Sequence, residues 1–362
     1  MTTIQARANK CKDDCQLPEC LCPSTSPPKG LDPKQVPQLV LLTFDDAVQL
    51  TNYNFYNQSM SGKKNPDGCP ISSTYFVSHE YTDYTMVNKL YSDGHEIALH
   101  SITHNPQIEY WRDADVQLLK DEFGGLRDII STFAAIPSEH IYGIRAPFLQ
   151  MSGDNGTHAI KELGLEYDCS WPTQTYVKPG LWPYTLDYPS TQDCPIGSCP
   201  TGTAPGVWIQ PMINMKDNSG LPCAMADGCT DVPKDVIGLL KFMQDNFHVQ
   251  YDNNRAPFGF YVHAAWFVTD NNRFEAYKLF IDYLLSLKDV YIVNIHRALQ
   301  WVRNPTTVDN LSKAWPECNK PAVTSCTPTN CRLMKGEEER WMNQCDITCP
   351  DSYPWLGNPL GN

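Results

Sequence analysis

The sequence predicts an α/β fold, a distorted (β/α) barrel of seven or eight strands with Cys-rich extensions at both ends. Three observations carry this reading. Between residues 38 and 304 apolar strand-like runs alternate with helical patterns, which implies a parallel sheet flanked by helices. Seven or eight such units over about 265 residues suit a barrel, possibly an incomplete one. Outside that stretch the chain is rich in Cys and Pro and shows no periodicity.

Residues 1–37 contain "CKDDCQLPECLC" and read as a stapled arm. The barrel strands follow as "QLVLLTF", "STYFVS", "EIALHSI", "YGIRAPF", "LEYDCSW", "VWIQPMI", "FGFYVHAAW" and "VYIVNI". Helices are predicted over 114–135, 157–163, 233–247 and 273–287; the last, "RFEAYKLFIDYLLSL", carries apolar residues at i, i+3, i+4 and i+7. Segments 48–72 and 172–206 are rich in Pro, Gly, Asn and Tyr and read as long loops, the walls of a groove. Residues 305–362 return to Cys, Pro and Trp. Arm and tail are expected to be covers, bridged to the catalytic barrel of 38–304 or to each other.

A net charge of −13 argues against nucleic acid or an anionic membrane as a partner. No stretch is long enough to span a bilayer, and the start "MTTIQARANK" has no apolar leader core, so a secreted form would have lost its signal already. The 15 cysteines lack the paired spacing of zinc ribbons and fit disulfides in an oxidising compartment. Sequons at Asn57, Asn155 and Asn310 agree with secretion. Cys194 with Cys199 and Cys223 with Cys229 are expected to close short loops. The terminal clusters are expected to fasten arm to tail, leaving Cys169 unpaired.

The chemistry concentrates at strand ends, where a barrel places its active site. Asp45 and Asp46 stand side by side after the first strand, an arrangement that a cation would make tolerable. The third strand ends in His100 and His104, whose spacing on one helical turn puts both imidazoles on one face. Two histidines and a carboxylate form a facial metal site with open positions. Arg145 in "RAPF" can pair with a carboxylate, "DCSW" supplies Asp168 and Trp171, and "YVH" supplies His263 as a candidate acid.

"TFDDA", "HSITH", "RAPF", "DCSW" and "YVH", in that order, resemble the five motifs of the carbohydrate esterase family 4 polysaccharide deacetylases. "GCPISSTYFVSHEYTDY", "LWPYTLDY" and "NRAPFGFYVHAAWF" resemble the insect chitin deacetylases within it. The resemblance covers roughly residues 10–304. It implies removal of the N-acetyl group from N-acetylglucosamine units of chitin or chitin oligomers by a secreted, monomeric, zinc-dependent enzyme. It further implies Asp45 as base, held by Arg145, with Asp46, His100 and His104 as metal ligands. The N–H of Phe148 would serve the oxyanion, Trp171 would wall the acetyl pocket, and Asp168 would pair with and tune His263 as the acid. The sequence departs from the family where Tyr261 stands for Leu in the last motif and Phe148 for Tyr in the third. Tyr176, Trp182 and Tyr184 are candidate sugar platforms in the second long loop, and His95 is expected to make core hydrogen bonds. A chitin-binding matrix protein without activity, or a deacetylase of another glycan, are the competing readings.

Overall fold

The computed structural model describes residues 11, 14–318, 325–345 and 348–362, so the start "MTTIQARANK" lies outside the described residues. All eight expected strands form: β1 (Gln38–Asp45), β2 (Thr74–Val77), β3 (Glu96–Leu99), β4 (Gly143–Ile144), β5 (Tyr167–Asp168), β7 (Ala204–Ile209), β8 (Phe258–His263) and β9 (Val290–Ile292). An unexpected strand, β6 (Tyr184–Leu186), completes a nine-stranded sheet. The order is β8-β1-β2-β3-β4-β5-β7-β6, with β9 beside the start of β1; only β6 runs antiparallel.

The sheet curls into an incomplete barrel. No strand pairing joins β8 to β6 among the described residues; instead Tyr261 Oη on β8 donates to Pro211 O just past β7, 3.4 Å away. Side chains on β1 alternate as a two-residue period requires. Val40, Leu42 and Phe44 face the outer core, and Leu39 and Leu41 face the inner one. The helices α1 (Leu50–Met60), α2 (Tyr84–Ser92), α3 (Gly125–Phe133), α4 (Asp154–Glu162), α5 (Val236–Tyr251) and α6 (Asn271–Ser286) contribute apolar side chains to the outer core. The inner core is filled by Phe76, Tyr167, Trp208 and Tyr261 and closed below by α7 (Ile295–Arg303), through Ile295, Leu299 and Trp301.

Segment 48–72 is not a loop wall: it opens with α1. Its "NYNFYNQ" composition is a poor helix former, but Tyr53, Tyr56 and Met60 bury on one face. Tyr56 packs 4.5 Å from Phe44 and 4.7 Å from Tyr75, centroid to centroid, so tertiary contact overrides local preference. The helix expected over 114–135 is interrupted by a π-turn at Lys120–Gly124.

Seven disulfides form, including Cys194–Cys199 and Cys223–Cys229, and Cys169 is the free, buried cysteine. The arm is not fastened to the tail. Cys11–Cys22 and Cys15–Cys20 close the arm on itself, Cys326–Cys345 and Cys331–Cys349 close the tail, and Cys69–Cys318 ties the tail to the barrel. The arm instead lies along the exposed edge β6, where Leu21 O accepts from Thr185 N at 2.9 Å and Ser24 O from Trp182 N at 3.0 Å. This covers an edge that would otherwise template pairing with another chain. The tail hairpin β10 (Pro328–Lys335) and β11 (Glu338–Cys345) docks on the loop after β2, where Lys335 and Arg340 meet Glu80 at 3.1 and 3.0 Å.

Gly259 on β8 shows how tightly the inner core is fitted. A Cβ there would sit 2.0 Å from Tyr261 Cζ and 2.1 Å from its Oη, because the hydroxyl end of the Tyr261 ring lies over the glycine. Gly259→Ala is expected to destabilise by about 1–3 kcal/mol, and Tyr261→Leu introduced with it should relieve most of that cost. Chemical denaturation of the two singles and the double checks this; strictly additive losses would disprove the overlap.

Candidate active site

Strand register brings the expected site together. Asp45 and His263 are direct register partners at the ends of β1 and β8, so both side chains lie on the inner face. Arg145 follows β4 and crosses the interior. Its Nη1 donates to Asp45 Oδ1 at 2.6 Å and to Thr43 Oγ1 at 2.8 Å, and its Nε to Cys169 O at 2.8 Å. The guanidinium is sandwiched between the Phe76 ring at 4.1 Å and the Tyr261 ring at 4.9 Å. The Tyr261 departure from the family pattern therefore builds half of the seat for Arg145. Burial works to raise the Asp45 carboxyl, but the Arg145 charge overrides it and holds the group below the usual carboxylate range.

Asp46, His100 and His104 converge beside this pair. Asp46 Oδ1 lies 3.4 Å from His104 Nε2 and 3.8 Å from His100 Nε2, and the three ligand atoms fall within 4.8 Å of one another. His100 Nδ1 donates to Arg145 O at 2.7 Å, which leaves Nε2 unprotonated toward Asp46. Burial pushes His100 down to about 4, so it is neutral. One carboxylate and two imidazoles on one side of an opening fit a divalent cation. Cys11, Cys15 and Cys22 also cluster, but their sulfurs are consumed in disulfides.

His100 and His104 do not share a helical turn. The chain between them is a loop with left-handed backbone at Ser101 (φ 86°) and His104 (φ 42°). Glu122, fully buried in the π-turn, shapes it: its carboxylate accepts from Ile102 N at 2.9 Å, Thr103 N at 3.0 Å and Thr103 Oγ1 at 2.5 Å. A π-turn at a functional site is a recurrent device.

No protein-family model matches the chain. It is 43% identical over 361 residues to "Chitin deacetylase 8" of Bombyx mori, covering 98% of this chain and 94% of that one. The chain belongs to the chitin deacetylase family. "Chitin deacetylase 1" of the same organism is 38% identical over 378 residues, covering 98% of this chain and 69% of that one. Among solved structures, a polysaccharide deacetylase assignment from Mycobacterium smegmatis aligns at TM-score 0.49 and 16% identity, over 79% of this chain and 96% of that one. A peptidoglycan deacetylase from Bacillus subtilis aligns at TM-score 0.40 and 16% identity, over 79% and 100%. Family membership makes the chain a deacetylase enzyme, and its Asp46–His100–His104 cluster is a candidate metal site of the kind such a deacetylase needs.

In this deacetylase the partner of His263 is not Asp168. Asp168 is in register with Ile144 and Ile209, both outer-core residues, so strand alternation turns its side chain to the opposite face from His263. Burial there raises it to about 6. Asp227 takes the place instead: its Oδ2 accepts from His263 Nδ1 at 2.6 Å and from His263 N at 3.1 Å. Burial would lower His263, but the Asp227 hydrogen bond and then the Asp45 charge hold it at about 9. Asp227 sits inside the loop closed by Cys223–Cys229. No motif marks Asp227 or Glu122; only their places inside a disulfide loop and inside the π-turn single them out.

The aromatic platforms also need correction. Trp182 has no exposed surface and stacks on Trp301 with centroids 5.7 Å apart. Tyr184 is equally buried, its hydroxyl 2.7 Å from Ser190 Oγ. Both pack the molecule and are closed to sugar. Tyr176 is half-buried, its hydroxyl donating to Thr191 O at 3.2 Å. Trp171 is buried with Nε1 donating to Asp193 O at 2.8 Å. Phe148 stands at the rim, 43% exposed, with left-handed backbone (φ 56°) and its ring 5.0 Å from that of His104. His95 accepts from Ser73 N through Nδ1 at 3.1 Å, away from the ligands.

Glu122→Ala should lower divalent-ion affinity by about 10–100-fold, the range for removing an outer support of a ligand. Competition with a chromophoric chelator measures it, and wild-type affinity in that variant would show that the loop holds its shape unaided.

Proposed function

We propose that the protein hydrolyses the N-acetyl groups of N-acetylglucosamine units in chitin, releasing acetate and leaving free amines. Asp46, His100 and His104 hold a zinc ion for this reaction. One apposition supports the reading best: an ionised Asp45 and a protonated His263 are register partners on neighbouring strands, flanking the same three-ligand set. The metal, when bound, polarises the acetamide carbonyl and acidifies water.

The residues of the chain divide the remaining work. Asp45 accepts the proton of the attacking water, and Arg145 keeps it ionised in a dry setting. The N–H of Phe148 faces the oxygen on which charge develops. His263 gives its Nε2 proton to the departing nitrogen, which is a poor leaving group unless protonated. Asp227, in the role expected of Asp168, fixes the Nδ1–H tautomer and keeps the ring charged. Trp171 backs the acetyl pocket, and Tyr176 alone of the three loop aromatics retains surface for a sugar ring. Seven disulfides suit an extracellular protein.

Asp45→Asn should retain zinc and lose about 10²–10⁴-fold in turnover, whereas His104→Ala or chelation should remove metal and activity together. Acetate release from chitin oligomers tests both, and near-wild-type release by either variant would refute the assignment. The pH profile follows from the signs. The base must be ionised, so activity falls as pH drops through the lowered Asp45 value. The acid must be protonated, so activity falls as pH rises through the His263 value, at or below about 9 because a bound cation beside Asp46 opposes the imidazolium. Asp227→Asn should move the alkaline limb down toward the ordinary imidazole range; an unmoved limb would remove Asp227 from the mechanism.

A further inference from the structure

Eleven large apolar side chains are exposed among the described residues, and six of them stand on the segments leaving the C-terminal ends of the sheet strands. Val268 follows β8, Leu50 follows β1, Tyr81 follows β2, Ile108 follows β3, Phe148 follows β4 and Leu221 follows β7. In sheet order these strands run continuously around the mouth, with only β5 intervening between β4 and β7. By strand order the exposed apolar residues are therefore not confined to one wall: five of them follow the five consecutive neighbours β8-β1-β2-β3-β4. Tyr81 is the most exposed of the six at 66%, and it holds a left-handed backbone (φ 69°) that a bulky residue rarely adopts. That conformation is fixed from below. Thr82 Oγ1 accepts from Val48 N at 3.2 Å, His79 N donates to Ser101 O at 3.3 Å, and Glu80 is pinned by Lys335 and Arg340 of the tail. The tail thus serves to present Tyr81.

We propose that this rim is a docking face for several chitin chains lying side by side, that is, for the surface of assembled chitin rather than for one strand threaded through a groove. The proposal rests on the deacetylase reading above. A single chain needs apolar platforms at two opposite ends of the site. A sheet of chains offers its apolar ring faces in every direction around the reacting unit and matches a rim of the same form. The net charge of −13 is indifferent to an uncharged polymer and disfavours an anionic lipid surface.

The test uses the metal-loaded full chain and a combined variant, Leu50→Ser, Tyr81→Asn, Ile108→Thr and Val268→Thr, all outside the catalytic set. Binding to washed insoluble chitin by depletion is expected to weaken by about tenfold or more, the sum of several small apolar contacts. Acetate release from soluble N-acetylglucosamine trimers should stay within about twofold. Single variants, each expected to weaken binding about two- to threefold, keep the test valid if the combined variant folds poorly. Unchanged binding to insoluble chitin, an equal loss on the soluble trimer, or wild-type binding to neutral phosphatidylcholine vesicles in place of chitin would each overturn the docking face. The binding arm needs no turnover. If wild type releases no acetate from the trimer, the deacetylase reading fails, and the docking face is still judged by depletion alone.

Discussion

The Arg145 guanidinium is the constraint on which the site depends. The Arg145 side chain is fully buried and touches β1 through Thr43 and Asp45 and the residue after β5 through Cys169, while its backbone, directly after β4, donates to Leu99 O at the end of β3. An isolated buried cation would be prohibitive. It is tolerated because a carboxylate, a hydroxyl, a carbonyl and two aromatic faces surround it. Removing one member of such a buried pair costs about 3–5 kcal/mol, since the other charge is left uncompensated. The same contacts that cross the interior of the curled sheet thus keep Asp45 ionised, and the Arg145 backbone carbonyl orients His100. Fold and chemistry cannot be altered separately at this point.

Around that anchor the backbone is strained where the chemistry lies. Among the described residues, six of the nine left-handed non-glycine residues, Asp46, Tyr81, Ser101, His104, Phe148 and Leu149, are on mouth segments. Each such residue costs on the order of 1–3 kcal/mol unless its surroundings over-determine it. Here they do: Asp46 N donates to Phe76 O, His104 N to Ser101 Oγ, and Glu122 grips the loop between the histidines. The tail acts on one mouth segment through Lys335 and Arg340 at Glu80, and Cys223–Cys229 acts at the mouth through Asp227.

Much of this was legible in the sequence. Eight strands, their parallel order and the convergence of Asp45, Asp46, His100, Arg145 and His263 follow from short apolar runs ending in polar residues. What failed did so for definable reasons. Asp168 was assigned to His263 from its place in a motif, but a one-residue change of parity on a strand reverses the face, and parity on a two-residue strand is set by its neighbours. Trp182 and Tyr184 sit in a Pro-rich stretch that looks like loop. Their burial depends on β6, a three-residue strand, and on α7, whose amphipathic pattern marks a helix but not the side chains it packs against. Helix α1 was hidden by its Asn and Tyr content.

Asp227 illustrates the deeper limit. Nothing in "CAMADGC" signals an acid–base partner. Its role exists only because Cys223–Cys229 closes a small ring whose one short acidic side chain is carried to the end of β8. A seven-residue loop left open would sample many conformations, and fixing each residue costs roughly 1–2 kcal/mol in entropy. The disulfide removes that cost before substrate arrives. The disulfide content that suits an oxidising compartment is therefore tied to the site as well as to stability: the Cys223–Cys229 bond supports the carboxylate that meets His263.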